Sequence, residues 1–165
     1  GDNARASRFY AQAADQAVLG GDYASAVRLA ERGIALRPTP DVEAELSSIV
    51  ADARFWSRDY ERSIEAAKTA LLLTRSGSRS DCRTLGNMVA ASLFRGGKRS
   101  DIQPYLDRLL TTDPEADALV ALFASIHGSM QYLVSTEPID EVKPFIDRLE
   151  LLAVYVILTV KFWRA

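Results

Sequence analysis

The sequence predicts an all-α fold of repeated helical hairpins, and three observations carry that prediction. The stretch Gly20 to Pro38, GGDYASAVRLAERGIALRP, contains a complete helix: two glycines and Asp22 break what precedes it and Pro38 forbids continuation. Within it Tyr23, Ala26, Val27, Ala30, Ile34 and Ala35 recur at three- and four-residue spacing, the period of one helix face. The pattern then returns in Arg58 to Leu73, RDYERSIEAAKTALLL, with Tyr60 lying 37 residues after Tyr23. A helix-sized unit recurring at that period indicates a repeat architecture.

Composition agrees. The chain has 165 residues, enough for one domain, and only six prolines and nine glycines among abundant Ala, Leu, Arg and Glu. A net charge of −2 gives no basic footprint for nucleic acid. The single cysteine, Cys82, excludes an intrachain disulfide and a cysteine-only zinc site. Because the chain begins at Gly1 and carries no charged-then-apolar leader, it reads as an excised domain or processed product. Its compartment, cytoplasm or periplasm, stays open.

The elements follow in order. Ala4 to Leu19 is the first helix, with Phe9, Ala13, Ala14, Ala17 and Val18 as its apolar stripe. Gly20 to Pro38 folds back on it. At this point the sequence resembles a tetratricopeptide repeat. The matching residues are Ala14 at the small packing position, Gly21-Asp22-Tyr23, Ala26, Gly33 where a small residue is required, and Pro38. Tyr10 fits the aromatic slot, whereas Ala13 and Ala17 replace the larger residues usual there. Asp41 to Ser57 is the next first-type helix, with Asp41 as N-cap after Pro40 and Leu46, Ile49, Val50, Ala53 and the Phe55–Trp56 pair as its apolar side. Asp59 to Thr74 is its partner, and Arg75 to Ser80 forms a polar hinge.

Ser80 or Asp81 caps a third pair whose first helix carries Leu85, Met88, Val89, Leu93 and Phe94 and ends at Gly96-Gly97. A second echo begins here: SDIQPYLDRL at Ser100 to Leu109 returns as DEVKPFIDRL at Asp140 to Leu149, 40 residues on. With Ser100 and Asp140 as N-caps, Pro104 and Pro144 fall at the end of the first turn, where a missing N–H costs least. Asp113-Pro114 starts the fourth first-type helix, and Glu137-Pro138 stops it. The expected domain is thus one unit over 1–165 with pairs at about 4–38, 41–75, 80–112 and 113–150. The resemblance implies a right-handed superhelix of about four pairs.

The C-terminal helix, 149–165, continues or follows the last pair. Its stretch LLAVYVILTV, Leu151 to Val160, is apolar on every helical face. Ten residues are too few for a membrane span of about 20. A docking helix is the plain reading; a self-association surface through Leu152, Tyr155, Val156, Val160, Phe162 and Trp163 is the sharper one.

No phosphate loop, metal-ligand spacing or nucleophile elbow occurs, so neither an enzyme nor a cofactor is expected. His127, the only histidine, has no orienting partner in sequence, and Cys82, near a helix start where thiols can be activated, has no His or second Cys beside it. Projecting the register of the resemblance places a concave groove on the first-type helices. That groove takes Arg8, Ala11, Asp15 and Val18, then Glu45, Ser48, Asp52 and Phe55. It continues through Thr84, Asn87, Ala91 and Phe94 to Ala124, His127, Gln131 and Val134. Phe55 and Phe94 are the expected anchors. Relatives that clamp acidic C-terminal peptides use Lys, Arg and Asn there. Only Arg8 and Asn87 resemble that set, and Asp15, Glu45 and Asp52 oppose it.

The function expected is therefore a protein-interaction scaffold or adaptor that holds a peptide or helix of a partner, not an acidic tail, in the manner of an assembly factor or chaperone of a larger bacterial complex. A self-associating scaffold and a regulatory or sensing domain of a larger protein are the alternatives.

Overall fold

Glycine- and proline-containing breaks divide the chain into helices, as the computed structural model shows over residues 2–162, with side chains described through Tyr155. The described residues form eight helices and no strand: α1 Asp2–Leu19, α2 Tyr23–Ala35, α3 Pro40–Trp56, α4 Tyr60–Leu73, α5 Arg79–Phe94, α6 Arg99–Thr111, α7 Leu119–Thr136 and α8 Ile139–Phe162.

The two copies of the Asp-Tyr motif build the same corner. Asp22 and Asp59 are N-caps with nearly identical backbone angles, and their carboxylates accept from the backbone N–H of Ser25 and Arg62. Hydrogen bonding from the Ser25 side chain, and then from its backbone N–H, lowers the Asp22 pKa from its ordinary value. The residue before each cap is left-handed, Gly21 at φ 76° and Arg58 at φ 62°. The preceding helix closes the same way in both: Asp22 N–H reaches Ala17 O and Asp59 N–H reaches Arg54 O, each at 2.9 Å. Glycine does this without strain; Arg58 does not.

Other starts differ from expectation. α3 is capped by Thr39 with Pro40 in the first helical turn, so Asp41 lies inside the helix. Ser78, not Ser80 or Asp81, caps α5 and accepts from Asp81 N–H at 3.2 Å. Lys98, not Ser100, precedes α6, where Asp101 accepts from the Lys98 backbone N–H. α8 begins at Ile139, so Asp140 is not its cap. Pro104 and Pro144 each become the sixth residue of their helix, two steps deeper than expected. The echo survives because the carbonyls they leave unpaired belong to Ser100 and Asp140, both exposed to water.

The largest departure is at Asp113-Pro114, which does not start a helix. Residues 112–118 form a loop, and α7 starts five residues later at Leu119. The hinge before α5 holds this loop: Glu115 N–H donates to Gly77 O at 2.9 Å and Arg75 pairs with Glu115 at 3.0 Å. Asp113 O lies where a Cβ on Gly77 would stand, so this contact requires glycine. Beneath it Asp81 is fully buried and accepts from Thr74 Oγ1 (3.0 Å), Gly77 N–H (3.1 Å) and Arg108 Nη2 (2.7 Å).

Consecutive helices pack together, α6 touching α7 only slightly, and the odd-numbered helices also meet in series, α1 with α3, α3 with α5 and α5 with α7. Packing changes character along the chain. The first half closes on small residues, among them Ala14, Ala26, Ala30, Ala51, Ala53 and Ala67, which let backbones approach closely. On α1 the buried face is Ser7, Ala11 and Ala14, whereas Phe9 and Ala13, expected inward, are exposed. Gly33 leaves room for Leu46 and Tyr10. The second half, α5 to α8, shares one core of Leu, Ile and Phe side chains that includes Leu85, Leu122, Ile126 and Phe145. Each contributes on the order of 1.5–3 kcal/mol.

α8 is one continuous helix. Within it Leu152 is 2% exposed and belongs to the core, so it is not a surface residue as expected; Leu151, Val154 and Tyr155 are exposed. Val156, Val160, Phe162 and Trp163 lie outside the described side chains. No helix among the described residues is long and apolar enough to cross a membrane.

Candidate functional site

One groove of about 820 Å³ is lined by residues of α1, α3, α5 and α7, with Asp117 from the loop before α7. Helical periodicity explains the lining. Arg79, Arg83, Gly86, Ala90 and Phe94 fall on one face of α5, and Val120, Ala124, Gly128, Gln131 and Ser135 on one face of α7. α5 and α7 run side by side in the same direction: Ser125 Oγ donates to Cys82 O at 2.8 Å, and further along Tyr132 stands over Phe94 with ring centroids 5.8 Å apart. Gly86 makes the approach possible, since a Cβ there would collide with Ser125.

The groove has two chemically distinct ends. At the C-terminal end of α5, Phe55 meets Trp56, Phe94 and Tyr60 at centroid distances of 5.3, 5.7 and 5.9 Å. Tyr60 also stacks on Phe94. Despite these contacts Phe94 remains 56% exposed and Trp56 57%, so their outer faces stay open. At the other end Arg83 pairs with Asp15 at 2.7 Å and donates from Nε to Ser48 Oγ at 3.2 Å, and Arg79 lies 3.9 Å from the same carboxylate. Between them Asp52 is largely shielded. Burial raises its pKa from the ordinary carboxylate value, Arg83 opposing the shift. The Trp56 and Asn87 side chains beside it also lower it, and the Asn87 nitrogen is buried there. Small residues, Gly86, Ala90, Ala121, Ala124 and Gly128, pave the floor between the ends.

Of the residues expected in the groove, Asp15, Val18, Asp52, Phe55, Asn87, Phe94, Ala124 and Gln131 line it together. Arg8 and Glu45 do not; they line a separate recess of about 320 Å³ with Gln12, Thr39, Asp41 and Val42. The groove meets α1 only at its C-terminal half, two turns beyond Arg8. His127 is exposed beside the groove rather than in it, stacked on Phe123 at 6.4 Å. Ala11, Ser48, Thr84 and Ala91 are buried between helices, and Val134 is exposed outside the lining.

Asp15 and Asp52 are both partly shielded, Asp15 paired with Arg83 and Asp52 with its pKa raised by burial. Arg79, Arg83 and Tyr132 were missed, and Trp56, expected on the apolar side of its helix, is 57% exposed and lines the groove. The signal for the two arginines was present, since Arg79 and Arg83 precede Asn87 at four-residue spacing on the same helix face. Cys82 is buried, and burial with the neighbouring Asp81 charge pushes its thiol up to about 12, the opposite of activation at a helix start.

Comparison of the chain with protein-family models, with curated proteins and with solved structures finds no match in any of the three.

Proposed function

We propose that the chain is a non-catalytic protein-interaction module of the tetratricopeptide kind, its eight helices acting as four stacked pairs, and that the groove on its odd-numbered helices receives an apolar segment of a protein partner. The observation that carries this reading is the groove itself. Its walls are formed by the odd-numbered helices with Asp117 of the loop before α7, and it leaves Phe94, Trp56 and Val120 more than half exposed around a floor of Ala and Gly. Exposed aromatic side chains ringing a smooth apolar floor supply contact area at low ordering cost. The polar end supports a neutral or basic ligand over an acidic one: Arg83 and Arg79 are engaged by Asp15, while Asp52 and Asp117 carry the remaining charge. An acidic peptide tail would meet repulsion and no free cation pair.

Selection of displayed random peptides on the folded chain, with counter-selection on a Phe94→Glu variant, tests the proposal. The expected result is a family of peptides rich in Leu, Ile or aromatic residues with Lys or Arg, binding with micromolar Kd and weakened at least tenfold by Phe94→Glu. Peptides that bind wild type and Phe94→Glu equally would refute it.

A further inference from the structure

We infer that the groove is built for an amphipathic helix of the partner, lying antiparallel to α5 and α7 with basic residues of its last turn at Asp52 and Asp117. The inference rests on the groove being a partner's binding surface and adds the shape, direction and charge of its occupant.

Length and depth come first. The lining runs from Arg79 to Phe94 on α5 and from Val120 to Ser135 on α7. At 1.5 Å of rise per residue, these two side-by-side helices make a trough roughly 22 Å long. A helix of about four turns spans it and, at about 10–12 Å across, takes up roughly 1,700–2,500 Å³. The groove's volume of about 820 Å³ holds roughly a third to a half of that, one face of a helix with the opposite face in water.

Hydrogen bonding separates a helix from an extended chain. An extended segment of roughly seven residues covers the same length and turns part of its backbone N–H and C=O groups toward the floor. Gly86, Ala90, Ala121, Ala124 and Gly128 offer no polar side-chain group to meet them. The Ser125 and Ser129 hydroxyls already donate to Cys82 O and Ser125 O, each at 2.8 Å. A helix brings its backbone already paired, and a ridge of its larger side chains seats where the floor residues are small.

Charge sets the direction. Asp15 is engaged by Arg83 at 2.7 Å, and Arg79 lies 3.9 Å from the same carboxylate. Asp117 is exposed and its carboxylate has no hydrogen-bond or ion-pair partner among the described residues. Asp52 is shielded beside Arg83, Trp56 and Asn87. With Asp15, Asp52 and Asp117 against Arg79 and Arg83, this end carries an excess of one acidic group. It is also where α5 and α7 begin, at Arg79 and Leu119. An occupant helix whose C-terminus lies here turns its negative end to those positive helix ends, and Lys or Arg of its last turn meets Asp52 and Asp117. Its first turns then carry large apolar side chains to Phe94, Trp56 and Tyr132 at the opposite end.

Three synthetic peptides of about 16 residues, capped at both ends, test the inference on the full chain by isothermal titration calorimetry and circular dichroism. The first places Leu and Phe on one helix face and a pair of lysines in its last turn. The second moves the lysines to the first turn, and the third is the first with a proline at its centre. The first is expected to bind with micromolar Kd and to gain helix signal on binding. The third is expected to bind at least tenfold more weakly than the first, and the second at least threefold. Asp52→Asn with Asp117→Asn is expected to erase the difference between the first two. Equal binding of the first and third peptides overturns the helical occupant, and equal or tighter binding of the second overturns its direction. Self-association of the chain that Phe94→Glu abolishes in sedimentation overturns the inference as well, because the occupant is then a second copy. Failure of all three peptides, while selected peptides still bind in a Phe94-dependent way, sinks this inference alone; selected peptides that ignore Phe94→Glu sink the interaction module with it.

Discussion

Asp81→Ala is expected to be among the most damaging single substitutions outside the apolar core. The carboxylate is 0% exposed and joins three pieces of chain: the end of α4 through Thr74, the hinge through Gly77 N–H, and α6 through Arg108 at 2.7 Å. The magnitude follows from what each partner does once the carboxylate is gone. Gly77 is buried, so its N–H loses its acceptor with no route to water, a cost of about 1–3 kcal/mol. Arg108 keeps 39% of its side chain exposed and partly re-solvates, so its loss falls below the value for a fully buried pair. Together with the Thr74 bond the expected loss is about 3–5 kcal/mol. For a chain of this size that lowers Tm by roughly 6–20 °C. Urea and thermal unfolding followed by circular dichroism measure it, with Asp101→Ala, which removes an exposed cap interaction, as a control expected to cost about 0.5–2 kcal/mol. A double-mutant cycle with Arg108→Ala should give a coupling of at least 0.5 kcal/mol, within the range for residues in one network. If Asp81→Ala unfolds within about 1 kcal/mol of wild type, or the two substitutions are additive, the keystone argument is wrong.

Three further outcomes follow from the geometry. Arg58→Gly should stabilise the chain by about 0.5–1 kcal/mol, because Arg58 holds a left-handed backbone that its counterpart Gly21 adopts freely; an unchanged or lower melting temperature would contradict that. Asp52→Asn should stabilise the fold at neutral pH. The folded-state pKa of Asp52 lies above its unfolded value, so the native state binds the proton more tightly and the carboxylate costs stability as pH rises through that folded pKa. The gain should vanish below the ordinary carboxylate pKa of about 4, and a gain that grows on acidification would reverse the argument. Cys82, buried with its thiol pushed up to about 12, should resist iodoacetamide at pH 8 until urea unfolds the chain, and rapid labelling of the native protein would show that the α5–α7 contact opens.

Much of the helical framework was legible because local chemistry decides it. The Asp-Tyr corners at Asp22 and Asp59, the stop at Glu137-Pro138 and the paired early prolines all act within a few residues of themselves. What was not legible depends on distant contacts. Asp113-Pro114 has the composition of a helix start, but the Gly77–Glu115 hydrogen bond holds that segment as a loop against the hinge. Asp81 reads as an ordinary first-turn acid until Arg108, 27 residues away, closes on it. On α3 and α5 Asp52, Phe55, Asn87 and Phe94 line one surface, whereas Arg8 and Glu45 line another recess and His127 lies outside the lining. Which turns of α1 and α3 reach the groove depends on the offset between stacked helices, and a repeat period alone does not give that offset.

The central claim is that this groove is where a partner binds, and Trp56 reports on it directly from the aromatic end. In a Trp163→Phe variant Trp56 is the one remaining tryptophan, and it is 57% exposed in the free chain. Titration with a selected peptide is predicted to shift its emission to the blue along a saturable curve that Phe94→Glu abolishes. A peptide that binds while the Trp56 emission stays where it was would place the partner elsewhere and contradict the account.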